Sequence, residues 1–210
     1  MPKTYRHMEP FCIFSGLSCQ YNGIIYFMLP YKVTICGLRE LSEVVPSGIS
    51  HVISILDPDY PYPSELKIID SSRRELFSFE DVVVPEESQK IPERADIKRL
   101  LDWGRGLRLG GEETHLLVHC HAGVSRSTAA TAILMLENNP CLEAEVFQEI
   151  SRLRPRNWPN SRMVEIADEL LGCQGRFIAE LKRHHARTAV QNPELAELIR
   201  LHGRAHEVPD

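Results

Sequence analysis

Nine consecutive residues between two apolar runs constrain this chain most: His119-Cys120-His121-Ala122-Gly123-Val124-Ser125-Arg126-Ser127. The run before them, 116–118, predicts a buried strand, and the run after them, 129–136, predicts a buried helix. A loop at a helix N-terminus presents backbone N–H groups and positive helix-dipole potential, which together favour an anion. Arg126 adds a planar fork that matches two phosphate oxygens. We call residues 120–126 the phosphate loop.

Cys120 lies inside this positively polarised loop. Near a helix N-terminus and cationic groups a thiol pKa falls to about 3.5–7.5, which makes the thiolate available as a nucleophile. A thiolate beside a phosphate cradle predicts attack on phosphorus and a phosphocysteine intermediate. The alternative is a buried structural cysteine before a glycine turn. The Cys-x5-Arg spacing, Gly123 and the two flanking elements together favour the nucleophile.

The pattern His-Cys-x-x-Gly-x-x-Arg-Ser resembles the active-site loop of the cysteine-dependent protein tyrosine phosphatase superfamily. Its middle, Ala-Gly-Val-Ser-Arg-Ser, is most similar to the dual-specificity (VH1-like) branch. The resemblance extends over about residues 31–172 and covers neither end of the chain. It implies a metal-independent phosphatase without a cofactor, acting on phosphorylated protein.

Strands alternate with helices along the chain, which predicts an α/β fold with a central parallel-rich sheet flanked by helices. Strands are predicted at 33–36, 52–56, near 75–79 and at 116–118. Helices are predicted at 40–45, 97–107, 129–136, 146–153 and 163–171.

We expect three parts: an N-terminal extension over 1–27, a catalytic domain over 28–172 and a helical appendage over 173–210. The extension is expected to be poorly ordered, or to be translated upstream of a true start at Met28. In the appendage, helices are predicted at 176–188 and 193–201. Mixed charges at Glu197, Arg200 and Arg204 predict a solvated face, and a pairing surface for a partner or second subunit is the alternative.

Cleavage of a phosphate ester also needs a proton for the leaving oxygen. The resemblance implies an aspartate for this role, on a loop a few tens of residues before the active-site strand. Asp81 lies 120 − 81 = 39 positions before Cys120, directly after a predicted strand, and is our candidate. It would then activate water in the second step. Asp57 and Asp59 also follow a strand end and are alternative candidates for the acid. The alternative for Asp81 itself is that it is an ordinary turn aspartate on a solvated loop.

The resemblance implies further roles around the phosphate loop. His119 would hold the loop and favour the thiolate, and Ser127 would steady the thiolate as it leaves; a satisfied strand-end histidine and a helix N-cap are the alternatives. Asn160 would brace the loop or cap the next helix. The residues expected to bind the substrate phosphate are His121, Ala122, Gly123, Val124, Ser125 and Arg126.

Charge and cysteine usage argue against several kinds of partner and cellular location. The net charge is 24 − 29 = −5 without a basic stripe, which argues against nucleic-acid or membrane-surface binding. Six cysteines form no CxxC pair, and the thiolate mechanism favours the reducing cytoplasm. No run approaches the roughly 20 apolar residues of a membrane span. We expect no metal site, and the oligomeric state is left open.

The substrate is expected to be protein phosphotyrosine, with phosphoserine and phosphothreonine also accepted. Tyr60 or Tyr62 would stack on a substrate ring, although both could simply pack in a proline-rich turn. Alternatives are phosphoinositides, inositol phosphates and RNA 5′-phosphates. The acidic loop at 86–87 argues against inositol polyphosphates, and the absence of lysine from the phosphate loop argues against inositol lipids. A phosphopeptide-binding pseudophosphatase is a further alternative, which the intact Cys120 and Arg126 disfavour.

Overall fold

Four strands form one sheet in a computed structural model that describes residues 28–84, 88–107 and 114–209. They are β1 (Lys32–Gly37), β2 (His51–Leu56), β3 (Arg74–Ser78) and β4 (His115–Cys120). The strand order is β1-β4-β2-β3, and each neighbouring pair is parallel. The predicted parallel-rich sheet is confirmed. The extension 1–27 and the acidic pair 86–87 lie outside the described residues.

The central strand β4 separates two hydrophobic clusters. Leu116 and Val118 belong to the larger cluster and Leu117 to the smaller one, because successive side chains of a strand point to opposite faces. All six residues of β4 are buried. The strand ends at Cys120, so this cysteine lies at the carboxyl edge of the sheet, where α/β folds bind their ligands.

In the described ranges the sheet is accompanied by seven helices: α1 (Leu41–Val44), α2 (Arg94–Leu107), α3 (Arg126–Asn138), α4 (Glu143–Leu153), α5 (Ser161–Leu170), α6 (Arg176–Gln191) and α7 (Pro193–Ile199). Helix α3 is buried along residues 126–136 because it packs against α2, α4, α5 and the sheet. Helix α1 covers the other face. The helices predicted from periodicity are present, with ends that differ by a few residues.

The C-terminal helices pack on the rest of the chain. Phe177 and Leu181 of α6 are fully buried in the larger cluster, and the Phe177 ring stacks on Phe147 with centroids 5.2 Å apart. After α7, two short helical turns at Arg200–Arg204 and Ala205–Glu207 bring the chain to the segment between β4 and α3, where Arg204 contacts Ser125. The division into domains at residue 172 stays a prediction. No helix in the described ranges has both the length and the apolar character that a membrane crossing needs.

Candidate active site

Residues 121–125 join β4 to α3, and donors outside the loop hold each of their five carbonyl oxygens. Because a planar trans peptide directs its N–H opposite to its C=O, these carbonyls turn the N–H groups of residues 122–126 toward the other side of the loop. The donors and acceptors are Leu38 N–H to His121 O (2.9 Å), Arg154 Nη2 to Ala122 O (3.2 Å), Arg154 Nε to Gly123 O (3.0 Å), Trp158 N–H to Val124 O (2.8 Å) and Asn160 N–H to Ser125 O (3.4 Å).

Arg154 is a loop-bracing residue that the sequence analysis missed. Its Nη1 and Nη2 each donate to the Glu40 carboxylate at 2.7 Å, while Glu40 Oε2 also accepts the N–H of Gly37 at 2.7 Å. The hydrogen bonds from Arg154 lower the pKa of Glu40 below its ordinary value. The Glu40–Arg154 pair therefore connects the end of β1 to the phosphate loop.

Gly123 is required by close backbone contact. Its φ is +69°, and a Cβ atom there would lie 2.5 Å from the carbonyl carbon of Cys36 and 2.6 Å from the nitrogen of Gly37. A Cβ on Gly37 would in turn lie 2.8 Å from the carbonyl carbon of Ala122. The two glycines allow the phosphate loop to lie directly against the end of β1.

The sulfur of Cys120 is surrounded by hydrogen-bond donors. It accepts the N–H of Gly123 at 3.3 Å and lies 3.3 Å from Ser127 Oγ in the first turn of α3. Cys120 is 2% exposed and Ser127 is fully buried. These contacts, together with the N-terminal dipole of α3, place hydrogen-bond donors and positive potential at the sulfur.

His119 is neutral at pH 7 in this environment. Burial lowers the pKa of His119 to about 4. Its Nε2 lies 2.7 Å from Ser54 Oγ on the neighbouring strand β2. His119 therefore contributes a hydrogen bond between the strands beneath the loop, and no positive charge.

Arg126 is buried with part of its guanidinium unused. Nη1 donates to Asp57 Oδ1 at 2.6 Å and to the carbonyl oxygen of Phe79 at 2.7 Å. Nε is buried, and within the described ranges it has no hydrogen-bond partner. Since a buried cationic donor is costly to leave unpaired, this N–H suits an oxygen of a bound phosphate.

Asp81 contacts the phosphate loop from the segment after β3. Its Oδ1 accepts Ser125 Oγ at 2.7 Å and Asn160 Nδ2 at 2.9 Å, and it lies 3.4 Å from Arg204 Nη1. Burial alone would raise the pKa of Asp81, but the charges of Arg204 and Arg126 and the two hydrogen bonds outweigh it and lower that pKa below its ordinary value. The side chain nevertheless keeps 33% exposure, so a solvent path to the carboxylate exists.

Asn160 does both things that the sequence left open. Its Oδ1 accepts the N–H of Met163 at 3.0 Å and so caps α5, while its Nδ2 donates to Asp81. The side-chain amide thus caps α5 and holds Asp81, while the backbone N–H of Asn160 contacts the phosphate loop at the Ser125 carbonyl, so the two interpretations are compatible.

The alternative acids and the candidate rim lie on the loop after β2. Asp57 Oδ2 is 3.5 Å from His121 Nε2, and the Asp57 N–H donates to the same nitrogen at 3.2 Å. Burial lowers the pKa of His121, and Asp57 partly opposes that shift. The Tyr60 ring meets the His121 ring edge-on with centroids 4.4 Å apart. Asp59 lies in an exposed turn with φ of 61°. Among the described residues, no group of three His, Cys, Asp or Glu side chains is placed to hold a metal ion.

Sequence comparison finds similarity to a known phosphatase. No family model matches the chain. The MAP kinase phosphatase with leucine-rich repeats protein 2 of Dictyostelium discoideum is 27% identical over 125 residues, which cover 60% of this chain and 16% of that relative. This chain thus spans about a sixth of the length of that relative.

Solved structures extend the match over most of the chain. The crystal structure of the human tyrosine phosphatase-like serine/threonine/tyrosine-interacting protein has a TM-score of 0.52 at 20% identity, covering 70% of this chain and 95% of that one. The crystal structure of DUSP15 has a TM-score of 0.52 at 21% identity, covering 75% of this chain and 94% of that one.

This chain has the dual-specificity phosphatase fold. The resemblance inferred from the loop sequence is thereby confirmed. The structure brings four predicted residues together around one loop: Cys120, Arg126, Ser127 and Asp81. Asp81 lies there although 120 − 81 = 39 positions of sequence separate it from Cys120. The sequence pointed to these four residues. It did not point to Arg154, or to the contact of Arg204 with Ser125 and Asp81.

Proposed function

We propose that the protein is a metal-independent phosphatase that hydrolyses phosphomonoesters of proteins through a phosphocysteine intermediate on Cys120. One observation carries the proposal: donors outside the loop hold all five carbonyls of residues 121–125, which leaves the N–H groups of the same peptides, those of residues 122–126, to face Cys120 and the unpaired Nε of Arg126. Such a site suits the three oxygens of a phosphoryl group.

In the first step the Cys120 thiolate attacks phosphorus, and the bond from phosphorus to the ester oxygen breaks as the S–P bond forms. Arg126 and the loop N–H groups stabilise the charge on the three phosphoryl oxygens. The protonated form of Asp81, which the charges of Arg204 and Arg126 disfavour, gives its proton to the leaving oxygen, which departs as an alcohol or phenol.

In the second step Asp81, now a carboxylate, takes a proton from a water molecule that attacks phosphorus. The S–P bond breaks, and inorganic phosphate and the Cys120 thiolate are released. The Ser127 hydroxyl, 3.3 Å from the sulfur, stabilises the departing thiolate. Asp81 loses one proton in the first step and gains one in the second, so it ends the cycle protonated, as it began.

Protein phosphotyrosine is the substrate that the rim of the site favours. A cleft of about 360 Å³ adjoins the phosphate loop, lined by Leu38, Leu41 and residues 60–65. Tyr60 is 44% exposed at the junction between this cleft and His121, so its ring offers a stacking surface for an aromatic phosphoester. We further propose a reducing compartment such as the cytoplasm, because Cys120 must stay unoxidised for this chemistry.

The first experiment measures hydrolysis of an aryl phosphate in the presence of a chelator. We expect turnover by the wild-type protein, inhibition by vanadate and essentially complete loss of turnover in Cys120→Ser. The matched control is Cys141→Ser, because Cys141 is exposed and lies in the turn between α3 and α4, beyond the end of α3 that is remote from the phosphate loop. Full activity in Cys120→Ser would refute the proposed mechanism.

A second experiment addresses the substrate class. It compares kcat/KM for matched peptides carrying phosphotyrosine, phosphothreonine or phosphoserine with that for a dispersed phosphoinositide. We expect phosphotyrosine to be preferred and the other two peptides to be cleaved detectably. A phosphoinositide preferred tenfold or more over every peptide would overturn the protein-phosphatase assignment while leaving the Cys120 chemistry intact.

A further inference from the structure

The C-terminal segment after α7 reaches the candidate active site through one arginine. Arg204 is 5% exposed, although it lies only six positions before the end of the 210-residue chain. Its Nη1 donates to Ser125 Oγ at 2.8 Å and lies 3.4 Å from Asp81 Oδ1. One nitrogen therefore contacts both a residue of the phosphate loop and the candidate acid.

Packing fixes the segment that carries Arg204. Trp158, Leu195, Ala196, Ile199 and Val208 form a separate buried cluster against which Val124 of the phosphate loop packs. Because Trp158 is fully buried and its backbone N–H holds the Val124 carbonyl, the cluster is joined directly to the loop.

The Glu207 carboxylate holds the guanidinium of Arg204 in place. Glu207 accepts from Arg204 Nε at 2.8 Å, and the same oxygen accepts the indole N–H of Trp158 at 2.9 Å. The side chains of Arg204 and Glu207 are 6% and 4% exposed, so the ion pair is largely shielded from solvent. A shielded and hydrogen-bonded arginine has a defined position, unlike an arginine on a solvated surface.

Asp81 is faced by groups from four parts of the fold. Ser125 of the loop and Asn160 at the start of α5 donate to its Oδ1, Arg126 of α3 acts through its charge, and Arg204 approaches from the C-terminal segment. Of the two arginines, Arg126 also pairs with Asp57 and is needed for phosphate. Arg204 is therefore the cation available to Asp81 throughout the reaction.

We propose that Arg204 is a positioning residue of the phosphatase reaction, holding the Asp81 carboxylate against Ser125 so that the C-terminal segment forms part of the acid–base site. This inference rests on the proposed function. The positive charge favours ionised Asp81, which suits water activation in the second step. It opposes protonation of Asp81, which the first step needs when the leaving group is poor.

The test is a pH profile of kcat/KM on two aryl phosphates, one with a poor and one with a good leaving group. In Arg204→Met we expect the alkaline limb for the poor leaving group to move to higher pH, because the cation that lowers the pKa of Asp81 is gone. The maximum should fall about tenfold to a hundredfold through misplacement of the acid. The good leaving group should show a much smaller loss.

Two further variants separate positioning from stability. Arg204→Lys keeps the positive charge, so its alkaline limb should stay near that of the wild type. Arg200→Met is the matched control, since Arg200 is exposed in the same turn and pairs with Glu197. That control should change neither the limb nor the rate. An alkaline limb that stays in place in Arg204→Met, or that moves equally when Asp81 is already replaced by Asn, would overturn the proposal.

A direct titration gives a result that does not depend on turnover. The carboxyl carbon of Asp81 is followed by NMR against pH in the Cys120→Ser protein, with and without Arg204→Met. We expect the Asp81 pKa to be higher when Arg204 is replaced, and an unchanged value would refute the coupling. Absence of phosphatase activity in the wild type would refute the proposed function instead, so the two failures are distinguishable.

Discussion

Replacing Arg154 should weaken anion binding strongly although Arg154 touches no substrate. Its guanidinium makes two hydrogen bonds to carbonyls of the phosphate loop and two to Glu40, and its side chain is 19% exposed. Hydrogen bonds to a charged group contribute about 1.5–3 kcal/mol each. The two loop bonds therefore represent about 3–6 kcal/mol, of which water in the partly exposed site replaces a share.

A net loss of about 2–3 kcal/mol in Arg154→Met corresponds to a roughly 30- to 150-fold weaker binding of a phosphate mimic. The reason is preorganisation: once the carbonyls of Ala122 and Gly123 are released, their peptides can rotate, and the anion must pull them back. Arg154→Lys should give an intermediate loss, because lysine keeps the charge without the fork.

The assay is the vanadate inhibition constant at fixed pH and ionic strength, with urea unfolding measured in parallel. Arg152→Met is the matched control, because Arg152 lies two positions earlier, is 69% exposed and pairs with Glu149. The control should stay within about twofold of the wild type, as expected for an exposed ion pair. If Arg154→Met binds vanadate as tightly as the control does, the bracing argument is refuted.

Three other predictions concern the loop and the core. Gly123→Ala should abolish vanadate binding and lower the melting temperature, because its Cβ would lie 2.5 Å from the Cys36 carbonyl carbon at a φ of +69°; a variant with normal inhibition would contradict the contact. Arg126→Lys should lower kcat/KM on an aryl phosphate by about 10²–10³, and a merely twofold effect would place Arg126 outside the phosphate site. Burial lowers the pKa values of His119 and His184 to about 4, so between pH 6.5 and 4 the unfolded chain binds protons that the folded one does not. The free energy of unfolding should therefore fall across that window by up to about 3 kcal/mol per histidine, and urea titrations showing no fall would contradict it.

The phosphate loop could be found from the sequence because its information is local. Cys120, Gly123 and Arg126 lie within seven residues, and the strand and helix on either side show their own periodicity. Asp81 was predicted because the resemblance implies an aspartate before the active-site strand and because Asp81 follows the end of a predicted strand. The alternation of strands and helices predicts a parallel sheet, and residues that follow parallel strands lie at the same edge of the sheet.

The bracing contacts could not be found in this way because they join distant parts of the chain. Glu40 and Arg154 are 114 positions apart, and no spacing rule links them. The prediction of a solvated face was wrong for Arg204, which is 5% exposed. That prediction rested on the mixed charges alone, whereas Gly203 adopts a φ of +78° and turns the chain, so that Arg204 lies against Asp81.

The central claim is that phosphoryl transfer passes through Cys120, and trapping the intermediate tests it most directly. Ser127→Ala removes the hydroxyl that lies 3.3 Å from the sulfur, so breakdown of the S–P bond should slow more than its formation. Protein mixed with an aryl phosphate is quenched rapidly by denaturation, digested and analysed by peptide mass spectrometry. We predict a phosphoryl group on the peptide containing Cys120, at higher occupancy in Ser127→Ala than in the wild type. Continued turnover with no phosphoryl group on Cys120 at any quench time would contradict the account.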